Sequence, residues 1–176
     1  MTLKKGLKVL VSRQKIESTV ERMAGEINRE YKDKTVLLVG VLKGAFVFLS
    51  DLIRKLDVPL ELDFIGISSY GGAKESCGEV KITKCPSVNA KGRDVLIVED
   101  IIDTGLTTAF IIDYLKKQEP ASLKLCALAD KPSGRKKEVK IDYLGLTVPD
   151  EFIVGYGLDY DEKYRQLPDI CYLEDK

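Results

Sequence analysis

Apolar residues recur three or four apart over residues 12–31, at Ile16, Val20, Met23, Ile27 and Tyr31, and Ser12 can cap the first turn. That spacing predicts an amphipathic helix. The pattern then changes. Residues 35–41, Thr-Val-Leu-Leu-Val-Gly-Val, form an almost unbroken apolar run, as a strand buried on both faces of a parallel sheet requires. Helical spacing returns over 45–56, after Lys43-Gly44, and 60–67 predicts another strand. Residues 79–83 alternate as an edge strand does. Two further buried strands fall at 94–98 and 122–128, with a helix between them over 107–117 that turns Ala109, Ile112 and Leu115 inward. Strands alternating with helices at this pitch predict an α/β fold: a mostly parallel twisted sheet flanked by helices. No repeat or long linker divides the chain, so residues 1–176 read as one domain.

Two stretches break the alternation. Residues 68–78 hold three glycines and few apolar positions, which suits a long loop or lid. From Val139 the chain consists of short β-prone pieces, at 141–146 and 152–156, separated by Pro149-Asp150 and Gly157. This tail, about residues 139–173, is expected to form a small hood over the carboxyl edge of the sheet.

Composition narrows the chemistry. The chain of 176 residues carries 28 Lys plus Arg against 28 Asp plus Glu, a formal net charge of zero. That balance argues against a general nucleic-acid binder, which carries a basic footprint. The chain contains no histidine. Acid–base work near neutral pH then falls to a tuned Asp, Glu, Lys, Tyr or Cys, and a metal would be held by carboxylates, which suits magnesium better than zinc. Cys77, Cys85, Cys126 and Cys171 form no C-x-x-C pair, and no signal-peptide pattern precedes them. A reducing cytoplasmic location is expected, with the cysteines in structural or incidental positions. Lys43 interrupts the most apolar stretch, 36–49, which falls short of a membrane span.

The strongest chemical signal is Val95-Leu-Ile-Val-Glu99-Asp100-Ile-Ile-Asp103-Thr104-Gly105-Leu106-Thr107-Thr108. A buried strand ends in two adjacent carboxylates; a third follows, then Thr-Gly and a helix start. Open α/β sheets bind ligands at the carboxyl ends of their strands, so a site belongs on this loop. Gly105 permits close approach of backbone, and the turn from Asp103 to Thr107 can aim amides and hydroxyls at a phosphate. Glu99 and Asp100 can accept from sugar hydroxyls. Asp-Thr-Gly is also the aspartic-protease triplet, but that fold is all β and uses two copies, where this chain has one followed by a helix. A P-loop is excluded by the absence of Gly-x-x-x-x-Gly-Lys. A plain helix cap beside solvated acids leaves the clustering of three carboxylates unexplained.

This segment resembles the phosphoribosyl-pyrophosphate signature of the type I phosphoribosyltransferases. The resemblance extends from about Leu10 to Leu173 and is similar in detail to the hypoxanthine-guanine branch. It implies that Glu99, Asp100, Asp103, Thr104, Gly105, Leu106 and Thr107 bind the sugar phosphate, with Asp103 as general base or proton acceptor at purine N7. Val41-Leu42-Lys43-Gly44-Ala45 looks like the family's pyrophosphate loop, in which the peptide before the lysine is cis; Lys43 and Gly44, with Arg165, would face pyrophosphate. Lys131, in Ala129-Asp130-Lys131-Pro132, is similar to the lysine that donates to the 6-oxygen of the base. The stretch from Pro149 to Arg165 resembles the hood of the hypoxanthine-guanine enzymes. There Phe152 would stack on the purine, the Ile153 backbone would read its edge, and Asp159 would line the purine site and bind a second magnesium, directly or through water, beside the one held near Glu99 and Asp100. Ser69 and Tyr70, in Ser68-Ser69-Tyr70, match the family's lid. Leu106 stands where relatives often carry lysine, and Ile153 where they carry valine.

The implied ligands are a purine base, phosphoribosyl pyrophosphate and Mg2+, with no nucleic acid or membrane partner, and the family usually forms homo-dimers or homo-tetramers. A different class, a regulator that keeps this fold but binds nucleic acid, would need an added module or a cationic face. The nearest basic cluster, Arg135-Lys136-Lys137, reads as a solvated turn.

Overall fold

In the computed structural model, residues 6–69 and 80–173 are described. Six strands make the main sheet: β2 (Val36–Leu42), β3 (Leu60–Ser69), β4 (Val80–Lys84), β5 (Asp94–Ile102), β6 (Ser122–Asp130) and β7 (Tyr143–Thr147). Their order is β4-β3-β2-β5-β6-β7, parallel throughout except for the antiparallel edge strand β4. Helices α1 (Arg13–Glu30), α2 (Phe46–Ile53) and α3 (Leu106–Lys116) complete the layers.

Period-two alternation splits the sheet's apolar residues between two cores. Leu38, Leu96, Val98 and Leu128 face α1 and α2, where Ile16, Val20, Met23, Ile27, Phe48 and Leu52 are buried. Leu37, Val39, Ile97, Leu125 and Ala127 face the other way, onto Ile111 and Leu115 of α3. The helix over α1 is capped as expected, with the Ser12 hydroxyl accepting from the Lys15 amide. On α3 the buried face is Thr108, Ile111 and Leu115, not Ala109 and Ile112. The helix is apolar nearly all round, so periodicity gave little phase, and its start at Leu106 sets the face.

The tail divides differently from the expectation. Tyr143–Thr147 joins the main sheet as β7, parallel to β6, and does not belong to the hood. The hood is instead a separate three-stranded antiparallel sheet, with β9 (Ile170–Leu173) between β8 (Ile153–Val154) and β1 (Leu7–Val11). Strand β1 had no counterpart in the sequence reading; its alternation is short and half exposed.

Asp63 ties β3 to the segment after β4. Its buried carboxylate accepts from the amides of Phe64, Ser87 and Val88 and from the Ser87 hydroxyl, at 2.6 to 3.1 Å. Burial alone would push this carboxyl up, but those donors outweigh it and hold the pKa at about 2 against an ordinary 3.8. A depressed folded pKa means stability that is present above the unfolded value and lost as pH falls from 3.8 towards 2. Asp63→Asn is therefore expected to cost about 2 kcal/mol at neutral pH and little near pH ~2. Urea melts at the two pH values check this; equal costs would show that packing, not charge, holds the segment.

Candidate active site

The strand order fixes where a ligand can sit. From β2 the chain crosses to β3 on one side, and from β5 it crosses to β6 on the other, so the crossovers diverge between β2 and β5. A crevice opens at such a switch point, beyond the carboxyl ends of the strands. Lys43 and Gly44 follow β2, Glu99 and Asp100 lie near the end of β5, and Asp130 and Lys131 mark the end of β6.

Glu99 and Asp100 are adjacent carboxylates, both buried. Burial, followed by the charge of Asp100 and a hydrogen bond with it, pushes Glu99 well above the ordinary range. Asp100 is pushed up to about 6, mainly by burial and also by the charge of Asp159, against the pull of backbone amides and Arg165. Oε2 of Glu99 has no hydrogen-bond partner among the described residues. What the pair lacks is positive charge, so its donors fit a hard divalent cation. Among the described residues no three acidic, cysteine or histidine side chains converge to hold an ion by themselves. Asp159, expected at a second magnesium, lies 2.8 Å from the Arg165 guanidinium and accepts from the Glu162 amide. An ion held by few carboxylates and otherwise by water and substrate oxygens is how magnesium binds.

Gly44 is fitted against this pair. A Cβ there would lie 1.8 Å from Oδ2 of Asp100, so only glycine leaves room for the carboxylate. The peptide between Leu42 and Lys43 is cis, as the resemblance implied. Gly157, at φ +102, packs as closely on the other side, since its Cβ would meet the Gly44 carbonyl at 2.1 Å.

The loop from Asp103 to Thr107 opens α3. Gly105 caps the helix at φ +76, where a Cβ would meet the Lys137 carbonyl at 2.1 Å. With Leu106 and Thr107 it forms the start and positive end of α3, where the Thr104 hydroxyl accepts from the Leu106 amide at 3.4 Å. Asp103 is partly exposed, and its carboxylate lies 3.2 Å from Lys131 Nζ. Lys131 is also 3.6 Å from Asp150.

Sequence reading missed what braces this loop. Arg135 is not a solvated turn residue. Its guanidinium is largely buried, donates to the carbonyls of Asp103 and Ile102, and pairs with Asp130. The amides of Lys136 and Lys137 both donate to the Thr104 carbonyl. Within a three-residue basic run, nothing in the spacing marks one member as inward. Gly134 was missed as well; a Cβ on it would touch Oδ1 of Asp103 at 2.2 Å.

In the hood, Phe152 is 45% exposed and meets Tyr160 edge-on, while Ile153 is buried and pairs through β8 with Tyr172. Arg165 reaches back to the site, its Nη1 donating to the Gly157 carbonyl at 2.8 Å. Lys43 Nζ lies 2.8 Å from Glu162, a residue sequence reading left unassigned. Of the expected lid residues, Ser69 is the last residue of strand β3, and Tyr70 lies outside the described residues.

Residues 7–161 match the phosphoribosyl transferase domain family. The chain is 48% identical over 167 residues to a hypoxanthine-guanine phosphoribosyltransferase of Bacillus subtilis, covering 95% of this chain and 93% of that one. A crystal structure of a hypoxanthine-guanine phosphoribosyltransferase from Bacillus anthracis superposes with a TM-score of 0.88 at 42% identity, over 98% of this chain and 99% of that one. A structure of the Trypanosoma cruzi hypoxanthine phosphoribosyl transferase superposes with a TM-score of 0.91 at 37% identity, over 98% and 94% of the two chains.

Proposed function

The chain belongs to the phosphoribosyltransferases, among the hypoxanthine-guanine enzymes, and we propose that the crevice between β2 and β5 carries out their reaction with the residues assigned below. The enzyme transfers the phosphoribosyl group from 5-phospho-α-D-ribose 1-diphosphate to N9 of hypoxanthine or guanine, giving the nucleotide and pyrophosphate. The bond from N9 to the anomeric carbon forms as the bond to pyrophosphate breaks, and the proton on N7 must leave.

The observation that carries the assignment is the 3.2 Å pairing of Lys131 with Asp103 at the mouth of the crevice. In a 6-oxopurine the 6-oxygen and N7 are neighbours on one edge. An ammonium beside a carboxylate matches that edge: Lys131 donates to the oxygen while Asp103 accepts the N7 proton. Adenine would set an amino group against a donor. Phe152, exposed at the hood, stacks on the ring, and the Ile153 backbone reads the opposite edge. Asp159 is oriented beside it by Arg165.

The amides of the Asp103–Thr107 loop, with the hydroxyls of Thr104 and Thr107, hold the 5-phosphate at the start of α3. Glu99 and Asp100 take the ribose hydroxyls and the divalent ion, assigned here as Mg2+. When bound, that ion offsets charge on sugar and leaving group. Lys43, the Gly44 amide and the Arg165 fork receive the pyrophosphate. Ser69 and Tyr70 are assigned to a lid over it. The same reading gives the chain a cytoplasmic location, where Cys85, Cys126 and Cys171 are free thiols, and assembly as a homo-dimer or homo-tetramer. Among the described residues no helix is long and apolar enough to cross a membrane.

The test is nucleotide formation from hypoxanthine, guanine, xanthine and adenine in parallel, with phosphoribosyl pyrophosphate and magnesium, for the parent enzyme and Lys131→Met. The parent should use the first two and leave adenine inert. Lys131→Met should lose about 10- to 100-fold in kcat/KM for hypoxanthine and guanine, as one charge-assisted hydrogen bond supplies. Full activity of the variant would remove Lys131 from base recognition.

A further inference from the structure

Glu162 has no part in the reaction as assigned, yet its carboxylate spans the two cations given to pyrophosphate. Oε1 lies 2.8 Å from Lys43 Nζ, across the crevice, and Oε2 lies 3.1 Å from the Arg165 guanidinium. Two carboxylate oxygens facing two cations make the contacts that two phosphate oxygens would make.

The local backbone shows that this residue is not a convenient turn former. Tyr160 and Lys163 exchange backbone hydrogen bonds at 3.1 and 3.0 Å, closing a two-residue turn over Asp161 and Glu162, at φ +51 and +59. Turns with two positive φ values take Asn-Gly or Asp-Gly. Asp161 suits its position, but Glu162 stands where glycine would be unstrained. A side chain kept at a strained position points to a use for that side chain.

The contact is also built to open. The side chains of Glu162 and Lys43 are 63% and 65% exposed, so water can replace either partner at little cost. Arg165 is different: with Asp159 at 2.8 Å and the Gly157 carbonyl at 2.8 Å it stays in place when Glu162 leaves. Glu162 is held below the usual carboxylate range by its hydrogen bonds to Lys43 and Arg165, and so stays an anion.

We propose that Glu162 is an internal anion that occupies the pyrophosphate cations Lys43 and Arg165 in the free enzyme and is displaced by the diphosphate, so that pyrophosphate enters and leaves by anion exchange. The proposal rests on the assignment of Lys43 and Arg165 to pyrophosphate. By competing for these cations it weakens pyrophosphate binding and speeds product release.

Calorimetric titration of inorganic pyrophosphate with magnesium, into the parent enzyme, Glu162→Gln and Glu162→Gly, tests it. Both variants should bind pyrophosphate about threefold to tenfold more tightly, the range that one exposed and one partly exposed ion pair give. Pyrophosphate should become a correspondingly stronger product inhibitor. A nucleoside 5′-monophosphate, which leaves this subsite empty, should bind as before. Because Glu162→Gly installs the residue the turn prefers, its melting temperature should hold or rise, and misfolding cannot account for the result. Unchanged or weaker pyrophosphate binding in both variants overturns the proposal. Lys43→Met separates the two readings: if it leaves pyrophosphate affinity intact, the subsite assignment has failed and the proposal with it.

Discussion

Asp103→Asn is expected to lower kcat by about 100- to 10,000-fold while KM for the purine and for phosphoribosyl pyrophosphate changes only a few-fold, the signature of a group used in the transition state. The side chain keeps its shape and the loop keeps its supports. Arg135 donates to the Asp103 carbonyl at 3.0 Å, and the two amides after it hold Thr104 from behind. What goes is the acceptor for the N7 proton. In a chain without histidine no neighbouring imidazole can take that proton over. Lys131 also loses its anionic partner at 3.2 Å, and an amide nitrogen turned towards it would set donor against donor. Steady-state kinetics with both substrates, beside a melting curve, separates these effects. Turnover close to the parent enzyme would take Asp103 out of the proton transfer.

Gly44→Ala carries the second large effect, although the residue has no side chain to lose. Its added methyl would lie 1.8 Å from Oδ2 and 2.6 Å from Cγ of Asp100. That carboxylate is short, buried and fixed to the end of a central strand, so it cannot swing aside as a surface lysine would. Either Asp100 turns away from the crevice or the Lys43–Gly44 loop lifts off it. Displacements of about 1 Å at a positioned group cost on the order of 100-fold in rate, and kcat/KM is expected to fall at least that far. The magnesium concentration for half-maximal activity should rise with it, because Asp100 would no longer face the ion. Near-normal kinetics at low magnesium would show that the loop relaxes without cost and that the fit at Gly44 is incidental.

Burial explains which parts of the structure are legible in the sequence. Strands β2, β5 and β6 are buried over most of their length, and each carries a run of apolar residues (36–39, 95–98 and 125–129) that marks it. The acid pair and Asp-Thr-Gly turn stand out because ionisable groups at the end of a buried strand need a reason to be there. Strand β1 was missed because it has few buried positions and its partner β9 lies at the far end of the sequence, where local periodicity carries no signal. Strand β7 was placed in the wrong sheet for a related reason: five β-prone residues do not specify which sheet they join. Arg135 and Glu162 both look like surface charge. Their importance comes from contacts 32 and 119 residues away, which no spacing rule can supply.

The pairing of β1 with β9 bears on how the enzyme is made. Leu7 lies opposite Leu173, so β1 has no partner in its sheet until the main sheet and the residues between have followed it. The parallel sheet and its crevice can condense earlier, around β2, β5 and β6. The hood sheet, which holds Ile153 in β8, can close only once β9 is made, because β9 lies between β1 and β8. A nascent chain can thus shape its sugar-phosphate cradle, with Lys131 and Asp103 beside it, before the hood brings Phe152 and Ile153 over the purine.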